Sequence, residues 1–328
     1  MLAAARLGAA IRASVLRQGA RASAKRIEMK KIILTIVLLG AFAVEAAERY
    51  VPEYLGRISV TVRAQSGYSR SEGSGTLFKR KVDGKDKVYC LSAAHVVEHL
   101  RNTREEIVDG KPRKVVEFDD PSLVRKLRNP KTGRIVGEVV VASKILKYSD
   151  ADTGHDLVIM ELMSDDIETE SAAIYPKDGP LIRVGTRLLH CGSLLGSDGA
   201  GSITDGILSA HGRLLHGKIS LTQSTLTAFP GSSGGGCYLP DGRLIGVLVR
   251  GTPTQGFNLH VPIKRLWTFA EQAKCEWVLD PTIKITQKEI DAMPIEDVGV
   301  KAGAGPDKKL YPFLIHRVDL REAKGGAK

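Results

Sequence analysis

The chain has 328 residues, of which 43% are hydrophobic, 26% are charged and 5% are aromatic. These proportions fit a globular protein of one large or two ordinary domains, and the 34 glycines favour short strands and turns over long helices. The four cysteines, Cys90, Cys191, Cys237 and Cys275, form no Cys-x-x-Cys pair, which argues against a zinc or redox site. No metal or cofactor is predicted. The cysteines are either buried thiols or, in an exported protein, two disulfides.

The formal net charge of +11 is concentrated at the N-terminus. Residues 1–46 hold eight basic and two acidic residues, which leaves 40 basic and 35 acidic residues in the remainder. A mildly basic remainder without interleaved basic and aromatic residues does not predict nucleic acid as a partner.

The N-terminal segment 1–47 predicts a targeting or anchor segment. Lys30-Lys31 precedes the apolar run 32–44, and small residues follow it up to Ala47, which is the layout of a secretory signal peptide cleaved near Ala46 or Ala47. The run is shorter than the roughly 20 residues that a spanning helix needs. In that interpretation residues 1–28 result from a translation start site placed too far upstream. In the alternative interpretation they are a transit peptide followed by a membrane anchor, and a buried core helix is the third. The first two place the folded part outside the cytosol, in the periplasm, the medium or an organellar intermembrane space, with membrane contact only through an uncleaved segment.

Alternating or β-branched segments predict many short strands between Gly-rich turns. The predicted strands are 57–62, 72–78, 88–92, 134–141, 157–162, 184–192, 203–210, 218–222, 244–249 and 256–261. Asp83-Gly84 and Asp241-Gly242 predict hairpin turns. Residues 262–278 have apolar residues at helical spacing and predict a terminal amphipathic helix, whereas residues 281–328 predict weak order.

Ser233 lies in the pattern Gly-x-Ser-Gly-Gly, which begins at Gly231. Neighbours without side chains let the backbone turn tightly and let N–H groups point at one spot, so the N–H groups of Gly231 and Ser233 are a natural pair for stabilising an oxyanion. A Gly/Ser-rich hairpin loop is the alternative.

His95 and Asp156 each follow or precede a predicted strand directly. With Ser233 they occur in the order His, Asp, Ser, at spacings of 61 and 77 residues. In this chemistry Ser233 attacks a carbonyl, His95 takes and returns its proton, and Asp156 holds the tautomer of the ring. Asp150 and Asp152 are the spare candidates for the acid.

Four segments in order resemble the trypsin-like serine peptidases of the chymotrypsin fold, closest to the HtrA/Do branch. They are 73–78, 91–97 around His95, 156–162 around Asp156, and 206–210 with 230–235 around Ser233. The resemblance implies an all-β fold of two six-stranded antiparallel barrels with a C-terminal helix. It implies a first barrel over residues 48–168 and a second barrel with the helix over residues 169–280. It also implies a serine endopeptidase that acts on protein or peptide substrates, and it leaves the oligomeric state open.

Three departures from that family limit what the resemblance implies. The residues after 280 are too few for the peptide-binding PDZ module of HtrA proteins. Ser232 stands where zymogen-activated relatives have Asp, so activation by cutting is not predicted. The span between His95 and Asp156 is long for the family.

By the same resemblance, six residues line the substrate pocket: Thr227, Ala228, Val249, Arg250, Gly251 and Gly256. No acid lies at the expected base, so cleavage after small or medium apolar residues is predicted, subject to the Arg250 side chain. The resemblance also brings the segments of Cys191 and Cys237 near each other, which suggests a disulfide.

Two other functions compete with the peptidase. His95-Val-Val-Glu98-His99 matches the His-x-x-Glu-His arrangement of some zinc peptidases, but this leaves Ser233 and Asp156 unexplained. A catalytically silent binding module with a protease fold is the second alternative.

Overall fold

The computed structural model describes residues 50–215, 219–251 and 256–295. The described residues from Val51 onward belong to one structural unit. The predicted targeting segment 1–47 and residues 296–328 of the predicted tail lie outside the described residues. Within the described ranges, no helix combines the length and the apolar character that crossing a membrane requires.

Six antiparallel strands close the first barrel. They are β1 (Ser59–Ser66), β2 (Ser69–Val82), β3 (Lys85–Ser92), β6 (Ser122–Arg128), β7 (Ile135–Ser149) and β8 (Leu157–Leu162). Around the barrel they follow the order β1-β2-β3-β8-β7-β6. The hairpin of β4 (Arg101–Val108) and β5 (Lys111–Phe118) forms a separate two-stranded sheet. This hairpin occupies the first part of the long span between His95 and Asp156, before β6 and β7.

Six further antiparallel strands close the second barrel. They are β9 (Arg187–Leu194), β10 (Gly199–Leu215), β11 (Ile219–Ser224), β12 (Gly236–Tyr238), β13 (Leu244–Gly251) and β14 (Asn258–Pro262), in the order β10-β11-β14-β13-β12-β9. The predicted all-β fold of two six-stranded barrels is therefore confirmed. Both predicted hairpin turns also form, because β2 pairs with β3 across Asp83-Gly84 and β12 pairs with β13 across Asp241-Gly242. In the first turn Asp83 (φ 49°) and Gly84 (φ 79°) take left-handed conformations, as the twist of a tight hairpin requires.

Within the described ranges, four α-helices accompany the barrels. Helix α1 (Val51–Ile58) takes the first residues of the predicted strand 57–62, which begins only at Ser59. The predicted terminal helix is divided into α2 (Ile263–Ala273) and α3 (Glu276–Leu279), because Lys274 turns into a left-handed conformation (φ 55°). Beyond residue 281 the chain forms α4 (Gln287–Asp291), which a capping box of Thr286 and Glu289 begins.

A buried arginine of the first barrel holds α3. Arg80, which is 7% exposed, donates to the carbonyl oxygens of Trp277 (3.1 Å) and Leu279 (2.9 Å) and to Ser171 Oγ (2.6 Å). The carbonyl groups at a helix end have no partner within the helix, so the guanidinium satisfies them. Burial lowers the pKa of Arg80 to about 10. The C-terminal helices therefore pack against the first barrel as well as the second.

The suggested disulfide between Cys191 and Cys237 is wrong, because all four cysteines are free and buried. The two residues do lie on neighbouring strands, but Cys191 pairs with Gly236 and Cys237 pairs with His190. Since side chains alternate between the faces of a sheet, this offset of one residue turns the two thiols to opposite faces.

The second barrel encloses two histidines whose burial predicts acid sensitivity. Burial lowers the pKa of His190 to about 4 and that of His260 to about 3, from 6.5. An unfolded chain binds these protons below pH 6.5, whereas the folded chain does not until the lower pKa is reached. The free energy of unfolding should therefore fall between pH 6.5 and about 4, by about 1.4 kcal/mol per pH unit for each histidine. Denaturant titrations should give a shallower slope for His260→Gln and the wild-type slope for the exposed His99→Asn. Parallel curves for all three proteins would contradict the assignment.

Candidate active site

Two paired strands bring His95 and Asp156 to one edge of the first barrel. Ser92 at the end of β3 pairs with Val158 near the start of β8. His95 lies three residues beyond Ser92, in a 3₁₀ turn, and Asp156 lies two residues before Val158. Because the strands are antiparallel, the two functional side chains emerge at the same edge.

The Asp156 carboxylate binds His95 through both its backbone and its ring. Asp156 Oδ1 accepts from His95 N at 3.0 Å, and His95 Nδ1 lies 3.0 Å from Oδ1 and 2.9 Å from Oδ2. The Asp156 side chain is 7% exposed and the His95 side chain 22% exposed. A carboxylate at Nδ1 fixes the tautomer that leaves Nε2 free as a base.

A tight turn aims the Asp156 side chain. Asp156 has a left-handed backbone (φ 57°), which short polar residues tolerate best, and its N–H donates to the carbonyl oxygen of Asp150 at 3.1 Å. The side chain of Asp150 caps the same turn by accepting from the N–H groups of Asp152 and Thr153. Burial alone would raise the pKa of Asp150, but these hydrogen bonds outweigh it and lower the pKa. Asp150, one of the two spare candidates, therefore shapes the turn.

Helix α2 packs against this turn from the second barrel. Arg265 donates to the carbonyl oxygen of Gly154 (2.5 Å) and to His155 Nδ1 (3.2 Å), and His155 Nε2 lies 2.8 Å from Gln272 Oε1. Because Arg265 only donates, His155 must accept at Nδ1 and carry its proton at Nε2. Burial and the Arg265 charge lower the pKa of His155, so the imidazole is neutral near pH 7. No pattern in the sequence predicts this support.

The Ser233 loop is held against the first barrel by its backbone. Ser74 N on β2 donates to the Ser233 carbonyl oxygen at 2.7 Å, and Ser92 Oγ donates to the Ser74 carbonyl oxygen at 2.7 Å. A Cβ atom on Gly234 would lie 2.2 Å from Ser92 Oγ and 2.9 Å from Ala93 N. The loop is thus in contact with the segment that leads into His95. Ser74 and Ser92 lie in two of the recognised motifs, yet their role in this contact was not predicted.

Within the described part of the chain, the Ser233 hydroxyl and the N–H groups of the two predicted oxyanion donors have no hydrogen-bond partner. The residue is half-buried, and none of the described residues forms a hydrogen bond with its Oγ, His95 included. Nor do the N–H groups of Gly231 and Ser233 have an acceptor among these residues. The structure therefore places the Ser233 loop against the segment that leads into His95, without a formed contact between the hydroxyl and the imidazole. Such contacts commonly tighten only when substrate binds.

The segments predicted to line the substrate pocket lie side by side. Asn258 pairs with Gly251 across β13 and β14, and its side-chain amide donates to the carbonyl oxygen of Leu226, next to Thr227. Thr204 Oγ1 donates to the Thr227 carbonyl oxygen at 2.8 Å. Ala228 is half-buried, Val249 is buried, and Gly256 has a left-handed backbone (φ 92°).

Arg250 lies beside the His95–Asp156 pair. Its Nη1 is 3.6 Å from Asp156 Oδ2 and 3.3 Å from His95 Nδ1, and its side chain is 33% exposed. When His95 Nδ1 carries its proton, Nδ1 and Arg250 Nη1 are both donors, so Arg250 is attracted to the Asp156 carboxylate alone.

The zinc-peptidase alternative lacks its helix. Residues 94–96 and 98–100 form two separate 3₁₀ turns, so His95 and His99 do not share a face of an α-helix. His95 is also engaged by Asp156.

Known proteins that are similar to this chain include trypsin-like and HtrA-type peptidases. A family model described as a trypsin-like peptidase domain matches residues 73–247. The chain is 23% identical over 233 residues to the serine protease Do-like HtrA of Bacillus subtilis, covering 68% of this chain and 44% of the relative. It is also 23% identical over 262 residues to a serine protease HtrA-like protein of Staphylococcus aureus, covering 75% and 29%. The chain spans less than half the length of either relative. Among solved structures, the serine endoprotease from Yersinia pestis aligns with a TM-score of 0.46 and 17% identity, covering 70% of this chain and 66% of that one.

Substitution of Gly234 tests the contact between the barrels. Both Gly234 (φ 88°) and Gly201 (φ 74°) have left-handed backbones, but a Cβ on Gly201 would meet nothing within 4 Å. We expect Gly201→Ala to lower the free energy of unfolding by about 1–2 kcal/mol, the cost of the conformation alone. Gly234→Ala should lower it by about 3–5 kcal/mol, because steric overlap is added. Equal losses in denaturant titrations would mean that the loop does not press against the first barrel.

Proposed function

Because the chain belongs to the family of trypsin-like peptidase domains, we propose that it is a serine endopeptidase with His95, Asp156 and Ser233 as its catalytic triad. The observation that carries the proposal is the buried carboxylate of Asp156 on His95 Nδ1, beside a serine loop in which two N–H groups have no acceptor among the described residues. This combination supplies a base, its orienting group and an oxyanion site.

In the proposed reaction, Ser233 Oγ attacks the carbonyl carbon of the scissile peptide as His95 Nε2 takes the hydroxyl proton. The carbonyl oxygen becomes an oxyanion, which the N–H groups of Gly231 and Ser233 stabilise. Collapse breaks the C–N bond, and His95 returns the proton to the leaving amine. Water then attacks the acyl-enzyme by the same route and releases the second product.

The substrate class follows from the pocket segments. Thr227, Ala228, Val249 and Gly251 carry no carboxylate that would pair with a basic side chain. We therefore propose protein or peptide substrates cleaved after small or medium apolar residues. The buried Ser232 hydroxyl accepts from Phe229 N at 3.1 Å within its own loop, which supports a site that needs no cleaved N-terminus.

We further propose that the enzyme acts outside the cytosol, since Lys30-Lys31, an apolar run and a small-residue exit precede the catalytic part. The N-terminal sequence of the mature protein tests this proposal.

A catalytically silent binding module remains the competing function, because Ser233 Oγ has no hydrogen bond within the described part of the chain. A fluorophosphonate distinguishes the two functions. It should label wild type at Ser233 and the neighbouring variant Ser232→Ala, but not Ser233→Ala. Ser233→Ala should lower kcat on a cleaved peptide by about 10⁶-fold and Asp156→Asn by about 10⁴-fold. Folded wild-type protein that resists labelling would favour the silent module.

Cleavage of a peptide library tests the substrate class separately. We expect the residues before the cut to be mainly Ala, Val, Thr and similar small or medium side chains, because no charge in the pocket segments favours Lys or Arg. A map dominated by basic residues would show that the pocket is assigned wrongly, and Ser233→Ala serves as the blank.

A further inference from the structure

A carboxylate of the first barrel reaches a loop of the second barrel behind the Ser233 loop. Glu72, on β2, accepts at Oε2 from Ser197 N (2.8 Å) and at Oε1 from Ser197 Oγ (2.7 Å). Arg63 Nε (2.9 Å) and Arg70 Nη2 (2.5 Å) also donate to Oε1. The Glu72 side chain is only 15% exposed, so these charged hydrogen bonds lie in a partly dry setting. Burial would raise the pKa of Glu72, but the bonds from Arg70, Ser197 and Arg63 outweigh it and lower the pKa to about 2.

Ser197 belongs to the loop between β9 and β10. Two left-handed residues in succession, Leu195 (φ 61°) and Gly196 (φ 71°), fold this loop sharply just before Ser197. The left-handed backbone of Leu195 is unfavourable for a branched side chain, so a contact beyond the turn must hold it. The two hydrogen bonds from Ser197 to Glu72 are such a contact.

The same turn determines how the Pro230–Gly231 peptide is oriented. Leu195 N donates to the Pro230 carbonyl oxygen at 2.7 Å. This peptide bond is trans, so its carbonyl and its N–H point in opposite directions. Fixing the Pro230 oxygen on Leu195 therefore directs the Gly231 N–H to the other side, where it meets no acceptor among the described residues.

The Gly231 α-carbon is packed against the loop as well. A Cβ there would lie 2.3 Å from the Ser193 carbonyl oxygen and 2.5 Å from Gly196 N. Ser74 Oγ donates to the Gly231 carbonyl oxygen at 2.7 Å and accepts from Ser193 N at 2.7 Å. Loop and peptide are thus packed together, and the Glu72 carboxylate is a charged attachment of the loop to the first barrel, beside Arg63 Nη2, which donates to Ser197 Oγ at 3.1 Å.

We infer that Glu72 is a positioning residue for the oxyanion site: through Ser197 and Leu195 it holds the Pro230–Gly231 peptide with the Gly231 N–H turned to the reacting carbonyl. The inference rests on the proposed peptidase function. Glu72 itself touches no substrate, so its loss affects the tetrahedral state more than the binding of the peptide.

Kinetics and inhibitor binding test this role together. Deleting an oxyanion donor outright costs about 10²–10³ in kcat, so loosening one through Glu72→Ala should cost about 10–100-fold. KM should stay within about twofold. A peptide boronate, which forms a tetrahedral adduct on Ser233, should lose affinity by the same factor as kcat, whereas the non-covalent product peptide should not. Glu72→Gln keeps one acceptor for Ser197, and Ser197→Ala removes only one of the two hydrogen bonds. Both variants should therefore lose less kcat than Glu72→Ala, and their boronate affinity should fall by the same factor as their kcat.

Arg70→Met is the matched control, because it removes the positive charge that pairs with the Glu72 carboxylate and leaves both contacts between Glu72 and Ser197 in place. It should retain wild-type kcat and boronate affinity. The inference is overturned if boronate and product affinities fall equally in the Glu72 variants, or if active wild type and all variants bind boronate alike. If Glu72→Ala does not fold, Glu72→Gln and Ser197→Ala decide by the same ratios. Wild type that neither cleaves peptides nor binds boronate would instead refute the peptidase function itself.

Discussion

One backbone hydrogen bond joins the serine loop to the other barrel: Ser74 N donates to the Ser233 carbonyl oxygen at 2.7 Å. Both ends need glycine neighbours, since a Cβ on Gly73 would lie 2.9 Å from that oxygen and one on Gly234 would lie 2.2 Å from the Ser74 oxygen. The position of the serine is therefore set by main chain against main chain. Such contacts have few alternative arrangements, because no flexible side chain intervenes.

Each barrel also binds a segment of the candidate site that is built on the other barrel. Arg265 on α2, which follows the last strand of the second barrel, binds the turn that precedes Asp156. Glu72 on the first barrel binds the loop behind Gly231. Both contacts use a partly buried charged group, which is costly to remove from water unless its partners are in place. The cross-connections thus favour one arrangement of the two barrels, and a reaction that needs three side chains in register benefits from it.

The sequence was sufficient where the signal is local. Alternating segments predicted individual strands, and the junctions of strands with loops singled out His95 and Asp156. The closure of the strands into two barrels was implied only by the resemblance to the trypsin-like peptidases. Contacts such as Arg80 with Leu279, 199 residues apart, leave no local pattern and could not be predicted. The supposed disulfide between Cys191 and Cys237 failed for a related reason. Proximity of two strands was inferred from resemblance, but the register that turns the thiols apart depends on pairing that spacing does not reveal.

Arg250 raises the question of whether Asp156 can still support His95 in the proposed mechanism. A carboxylate that also attracts a cation has less charge to offer the imidazolium that forms when His95 takes the serine proton. Two observations decide the balance. Arg250 approaches Asp156 to 3.6 Å and is 33% exposed, so solvent screens it, whereas His95 makes contacts of 2.9 and 3.0 Å through its ring and a third through its backbone. Attraction falls with distance and with exposure, so the carboxylate acts mainly on His95. In the proposed mechanism the pair can therefore serve as the base although Arg250 lies beside it.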